Sequence, residues 1–154
     1  MNRGIRSLWQ PVCVGGLIAG TVDVGSACVI FKTNPFIILQ AIAGGVLGMS
    51  AFKGGWWSAV LGLALQWTMS IAIAACCVFA SSRIDLLARH WIVAGCVYGI
   101  VTFFVMNYVV VPLSASRSTP HHTAAWFSKD MLAMLLFGLI ITAVASGYMR
   151  KPKS

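Results

Sequence analysis

Apolar side chains fall into five long runs divided by short polar breaks. The first extends from about Trp9 to Phe31, behind Arg3 and Arg6, and Lys32 to Pro35 end it. Pro11 suits the first turn of a helix, where no N–H is needed. The second run, Phe36 to Phe52, is only about 17 residues long and holds Gly44, Gly45 and Gly48, all poor helix formers. A third opens on the interfacial aromatics Trp56 and Trp57 and ends near Ala80, a fourth covers Trp91 to Leu113, and the last covers Met131 to Met149. Ser81 to His90 and Ser114 to Ser128 read as polar loops. A hydrocarbon core about 30 Å thick needs about 20 apolar residues per helical crossing, so four of these runs are long enough and the second falls short. The expected fold is all-α: one polytopic membrane domain over residues 1–154, with four transmembrane helices at about 9–31, 56–80, 91–113 and 131–149.

Composition sharpens this picture. Hydrophobic residues make up 59% of the chain and charged residues 9%, against roughly 25% charged in soluble domains, so a water-soluble fold is excluded. The four crossings leave no segment large enough for a soluble domain with its own activity. The formal charge of +8 need not signal nucleic acid, because Lys and Arg sit at segment ends, where membrane topology puts them. The basic, then apolar, N-terminus has the look of a signal peptide, but no small-residue cleavage site and soluble region follow it, so it reads as a retained first span.

The same charges decide how to treat residues 36–52. With four spans and an inside N-terminus, seven basic residues lie inside (Arg3, Arg6, Arg83, Arg89, Arg150, Lys151, Lys153) and four outside (Lys32, Lys53, Arg117, Lys129). That asymmetry matches the positive-inside rule, whereas five spans would expose the Arg83/Arg89 loop and the basic tail. The short stretch therefore reads as a re-entrant or interfacial helix on the outer side. Both termini are expected to be cytoplasmic.

Of the three acids, only Asp23 lies within an expected span, in Gly20-Thr-Val-Asp-Val-Gly25. A charge at a helix centre costs about 2.5 to 3.5 kcal/mol even on the lenient insertion scale. Asp23 therefore either handles protons or cations on a transport path, or is a neutral group hydrogen-bonded between helices, with Thr21 and Ser26 as local partners. Gln66 and Asn107 are the other mid-span polar groups and complete a candidate intramembrane site in which each bonds to Asp23 or to the other. Tyr98 and Tyr108 add hydroxyls if they face inward.

Small residues recur four apart in Gly16-Leu-Ile-Ala-Gly20, Gly44-Gly-Val-Leu-Gly48 and Gly95-Cys-Val-Tyr-Gly99. Such faces allow close helix approach, within one chain or between subunits. His121 and His122 share an outer loop and His90 stands at the edge of the third span; without further ligands nearby, no metal site is expected. Cys13, Cys28, Cys76, Cys77 and Cys96 all lie in apolar runs, with no CxxC spacing, and read as small buried hydrophobes. No enzymatic motif is present, and neither catalysis nor a cofactor is expected.

Three stretches resemble a group of small, uncharacterised bacterial inner-membrane proteins with four spans: Leu39-Gln-Ala-Ile-Ala-Gly-Gly-Val-Leu-Gly48; Phe52-Lys-Gly-Gly55 leading to Leu61-Gly-Leu-Ala-Leu65; and Tyr98-Gly99 followed by Met106-Asn-Tyr-Val-Val-Val-Pro-Leu113. The resemblance covers most of the chain and implies a bacterial inner-membrane location and little about activity. Members tend to carry His where Gln66 stands, a departure that weakens a metal or proton-relay role at this position. Two functions fit the sequence. One is a structural or accessory subunit packing through its small-residue faces in a larger membrane complex or homo-oligomer. The other is a small oligomeric transporter or channel for protons, cations or a small solute, its path lined by Asp23, Gln66 and Asn107.

Overall fold

The computed structural model describes residues 3–84, 90–115 and 124–149, which are helical almost throughout and include no strand. Five helices follow in order: α1 (Arg3–Phe31), α2 (Pro35–Leu47), α3 (Gly55–Arg83), α4 (Trp91–Val105) and α5 (Ala124–Met149). A 3-10 segment, Gly48–Lys53, joins α2 to α3, and a π-turn, Met106–Val110, extends α4 into a final helical turn at Val111–Leu113. Among the described residues, five stretches are long and apolar enough to cross a membrane: Leu8–Phe31, Pro35–Lys53, Gly55–Arg83, Trp91–Leu113 and Phe127–Tyr148. The stretch containing α2 thus qualifies by length once its 3-10 extension is included.

Two boundaries differ from expectation. Pro11 lies inside α1, more than two turns from its start, and is buried there rather than opening the helix. The last helix begins seven residues before Met131, at Ala124, and so takes in Lys129 and Asp130. Hydropathy alone sets a span's edge at its first charge, but helical hydrogen bonding continues through charged residues without penalty near an end.

The helices alternate in direction. Val12 packs with Val78, Gly16 faces Ile71, Gly20 faces Ser70 and Asp23 meets Gln66, so α1 and α3 are antiparallel. Likewise Gly95 faces Leu139, Gly99 faces Leu135, Phe103 meets Phe127 and Asn107 meets Asp130, which makes α4 and α5 antiparallel. Gly15 faces Val144 across α1 and α5, and the Tyr98 hydroxyl donates to the Ile73 carbonyl at 2.6 Å between α4 and α3. The result is an up-down bundle of α1, α3, α4 and α5.

Because α1 ends where α3 begins, residues 35–53 leave from and return to one end of the bundle. Pro35 at the start of α2 fixes its first turn. Gly48 ends the helix at φ 62°, ψ −149°, a conformation open essentially to glycine alone. Along its length α2 lies on the first half of α3: Gln40 Nε2 donates to the Gly55 carbonyl at 3.2 Å, Phe36 meets Trp56 edge to face, and the Leu39 carbonyl sits where a Cβ on Gly62 would go. The N–H of Ala115, after α4, donates to the Gly45 carbonyl at 2.8 Å and ties the end of α4 to the same element.

Small side chains fill much of the interior, around a few large ones such as Phe103, Phe137 and Ile141, and most of the coat is large and apolar. Ala19, Ala43, Ala51, Ala59, Ala74 and Ala145 are buried, while Trp57 is 85% exposed, Leu113 81% and Val29 78%. A protein folded in water buries its large aliphatic side chains first. In lipid, apolar burial gives helices no reason to associate, and close backbone packing through small residues replaces it. The apolar helices and this inverted arrangement agree with a membrane protein.

Candidate functional site

Two aspartates face the bundle interior near the α2 end, each held by a carboxamide from the neighbouring helix. Gln66 Nε2, on α3, donates to Asp23 Oδ2 on α1 at 2.8 Å and approaches the Gly20 carbonyl at 3.5 Å. Asn107 Nδ2, on the extension of α4, donates to Asp130 Oδ2 on α5 at 3.1 Å and to the Phe103 carbonyl at 3.1 Å. The expected cluster of Asp23, Gln66 and Asn107 is therefore corrected: Asp23 and Gln66 come together, and Asn107 pairs with Asp130 instead. The Asn107 side chain leaves from a π-turn, whose extra residue shifts the helix face presented to α5.

The pairs stand at different depths. Asp23 is eight residues before the end of α1 at Phe31, about 12 Å along the helix axis. Asp130 is three residues beyond Phe127, where the apolar stretch of α5 begins, about 5 Å along its axis. Among the described residues, Gln66 is the one hydrogen-bond partner of the Asp23 carboxyl and Asn107 that of Asp130; neither carboxyl has a cationic partner.

Asp23 and Gln66 line a small cavity of about 20 Å³ with Ser70, Thr102, Met106 and Met134, room for about one water molecule. Below it the bundle closes with Ala19, Ala74, Cys77, Phe137 and Ile141, then Val12, Val78 and Ala145. The polar groups in this region turn back on their own helices or neighbours. Thr142 Oγ1 donates to the Gly138 carbonyl, and no buried side-chain N or O among the described residues lacks a hydrogen-bond partner. Thr21 and Ser26, expected beside Asp23, donate instead to the carbonyls of Leu17 and Val22 on their own helix.

The glycines divide into two groups. A Cβ on Gly16, Gly20, Gly95 or Gly99 would collide with the facing helix, so these four are true close-approach positions, all within the one chain. Gly44 and Gly48 are not: a Cβ on Gly44 would make ordinary contact with Ala51, and Gly48 serves backbone conformation. Gly62 and Gly138, not singled out in the sequence, are equally close, Gly138 against the backbones of Gly95 and Gly99.

Tyr98 faces inward, whereas Tyr108 is exposed and stacks on Phe104. All five cysteines are free thiols; only Cys77 is fully buried, and Cys13 and Cys76 are exposed. His90 is exposed at the start of α4, while His121 and His122 lie outside the described residues. No group of three His, Cys, Asp or Glu side chains converges among the described residues.

No family model, curated protein or solved structure matches this chain. Asp130 is the residue that sequence reasoning missed. Its signal lay in Lys129-Asp130 immediately before an apolar run, which reads as a loop unless the partner amide at Asn107 is known.

Proposed function

We propose that this chain is a four-span inner-membrane protein that acts as a small transporter or channel, with Asp130 and Asp23 as successive stations for protons or small cations. The observation that carries this reading is the pair of carboxyls inside an apolar bundle, each contacted by a neutral amide and neither by a cation among the described residues. Such groups are stable at that depth when protonated or when a cation joins them, and intramembrane acids of this kind mark ion and proton pathways. A route would run from the α2 end past Asp130 and Asn107 to Asp23 and Gln66. Onward passage requires the layer of Phe137 and Ile141 to part.

Helix direction and charge support the topology of this reading. Residues 35–53 start and finish at one end of the bundle, which favours a re-entrant or interfacial element and four crossings. Lys32, Lys53 and Lys129 belong to that end; the opposite end has Arg3, Arg6 and Arg83, and α5 ends there with Arg150, Lys151 and Lys153 next in the sequence, which favours placing it in the cytoplasm.

The accessory-subunit reading loses ground for a specific reason: the Gly16/Gly20 and Gly95/Gly99 faces that would meet a partner are occupied by helices of the same chain. The test is reconstitution of the purified chain into liposomes with a trapped pH indicator and an imposed potential, repeated with sodium and potassium gradients. The wild type is expected to conduct one of these ions, and Asp23→Asn to abolish flux while keeping its helicity and mass. A folded wild type with no flux of any of the three would overturn the proposal. A larger stoichiometric partner in native lipid discs would then restore the accessory role.

A further inference from the structure

At the end of the bundle opposite α2, α1 and the last turns of α3 border an apolar groove of about 390 Å³. Leu8, Trp9 and Val12 form one wall and Ala75, Cys76 and Phe79 the other. Trp9 is exposed, as an aromatic at the membrane–water boundary would be. At the mouth of the groove the Arg83 guanidinium stands over the Phe79 ring, 5.0 Å from its centroid, and makes no ion pair among the described residues. The guanidinium carries N–H donors in a planar fork, the arrangement that takes a phosphate through two parallel hydrogen bonds. Arg3 and Arg6 lie in the first turns of α1, at the same end of the bundle.

We propose that this groove binds one anionic phospholipid, with an acyl chain along Val12 and Ala75 and the headgroup phosphate on Arg83. The inference rests on the membrane location argued above but not on ion transport. Charge complementarity selects the occupant: a zwitterionic lipid brings its own cation beside the phosphate, whereas an anionic headgroup keeps its net negative charge for Arg83, and a basic site between membrane helices favours anionic headgroups. A second groove of about 390 Å³ supplies an internal comparison. It lies between α3 and α4, lined by Ala80, Val93, Val97 and Tyr98, and is bordered by His90 instead of an arginine.

The test is native mass spectrometry of the full chain after equilibration with vesicles of equimolar phosphatidylglycerol and phosphatidylcholine. The wild type is expected to retain one phosphatidylglycerol in preference to phosphatidylcholine. Arg83→Gln should cut that preference about five-fold, the factor that one arginine supplies at an anionic surface. Cys76→Trp, at an exposed position in the groove wall, should remove the bound lipid by filling its place, and carries the test alone if Arg83→Gln does not fold. His90→Gln and Asp23→Asn should leave the preference unchanged, which separates this site from the transport reading. Equal retention of the two lipids by the wild type, an unaltered preference in both folded groove variants, or a second copy of the chain occupying the groove would each overturn the proposal.

Discussion

The α1/α3 and α4/α5 seams are built alike and differ in where their polar pair sits. In each, antiparallel helices approach through glycines four apart, and toward the α2 end a carboxamide on one helix donates to an aspartate on the other. In the first seam the glycines and the acid share α1, and the pair lies deep. In the second the glycines of α4 meet Gly138 of α5, a π-turn offsets Asn107, and the pair lies nearer the end. The difference teaches that glycine spacing fixes where helices touch, whereas the offset between them fixes which polar groups meet. One seam alone would suggest a structural clasp. Two clasps at stepped depths, both with an acid, are what the proposed path rests on.

The comparison breaks most visibly at the glycines. Gly138→Leu should destabilise the bundle by at least about 3 kcal/mol, the upper end of the usual overpacking range, because its Cβ would meet the backbones of Gly95 and Gly99. Gly25→Ala, which points into open space, should stay within about 0.5 kcal/mol in the same detergent unfolding assay. Equal losses would mean that the seams are not what holds the helices.

Depth is the next handle. Gln66→Leu leaves a deep carboxyl without its donor and should cost about 2 kcal/mol, whereas Asn107→Leu should cost about 1 kcal/mol, because water reaches Asp130 more readily. Unfolding midpoints of the two variants measure this, and the reverse order would refute the assigned depths. A double-mutant cycle sharpens the pairing: Asp23→Ala with Gln66→Leu should show coupling of about 0.6 to 2 kcal/mol, while Asp23→Ala with Asn107→Leu should be additive within about 0.5 kcal/mol. Substantial coupling in the second cycle would reinstate a three-residue cluster. The smallest effect is expected for Thr21→Val, within about 0.5 kcal/mol by the same assay, since the hydroxyl is exposed and bonds to its own helix.

Much of the fold was legible in the chain. The apolar runs located every long helix, and Gly16, Gly20, Gly95 and Gly99 marked real contacts, because a missing Cβ is visible in sequence and has one use at a close crossing. The pairing of Asp23 with Gln66 was within reach, as two costly polar groups in apolar spans must find partners. Asn107 went to Asp130 for reasons the sequence does not display: the last helix starts early enough to include an acid, and the π-turn rotates the amide toward it.

The sequence by itself determined that the helices are apolar, roughly where they start and stop, and which few polar groups must be satisfied inside them. These are local quantities, set by transfer energies and backbone propensity along a continuous stretch of chain. Only the tertiary structure decided which helix faces which, that residues 35–53 return to the end they left, and that the glycine faces are consumed within one chain. Those outcomes depend on the relative axial offset and rotation of helices far apart in sequence, and a shift of a single turn would exchange every partner while leaving each helix unchanged.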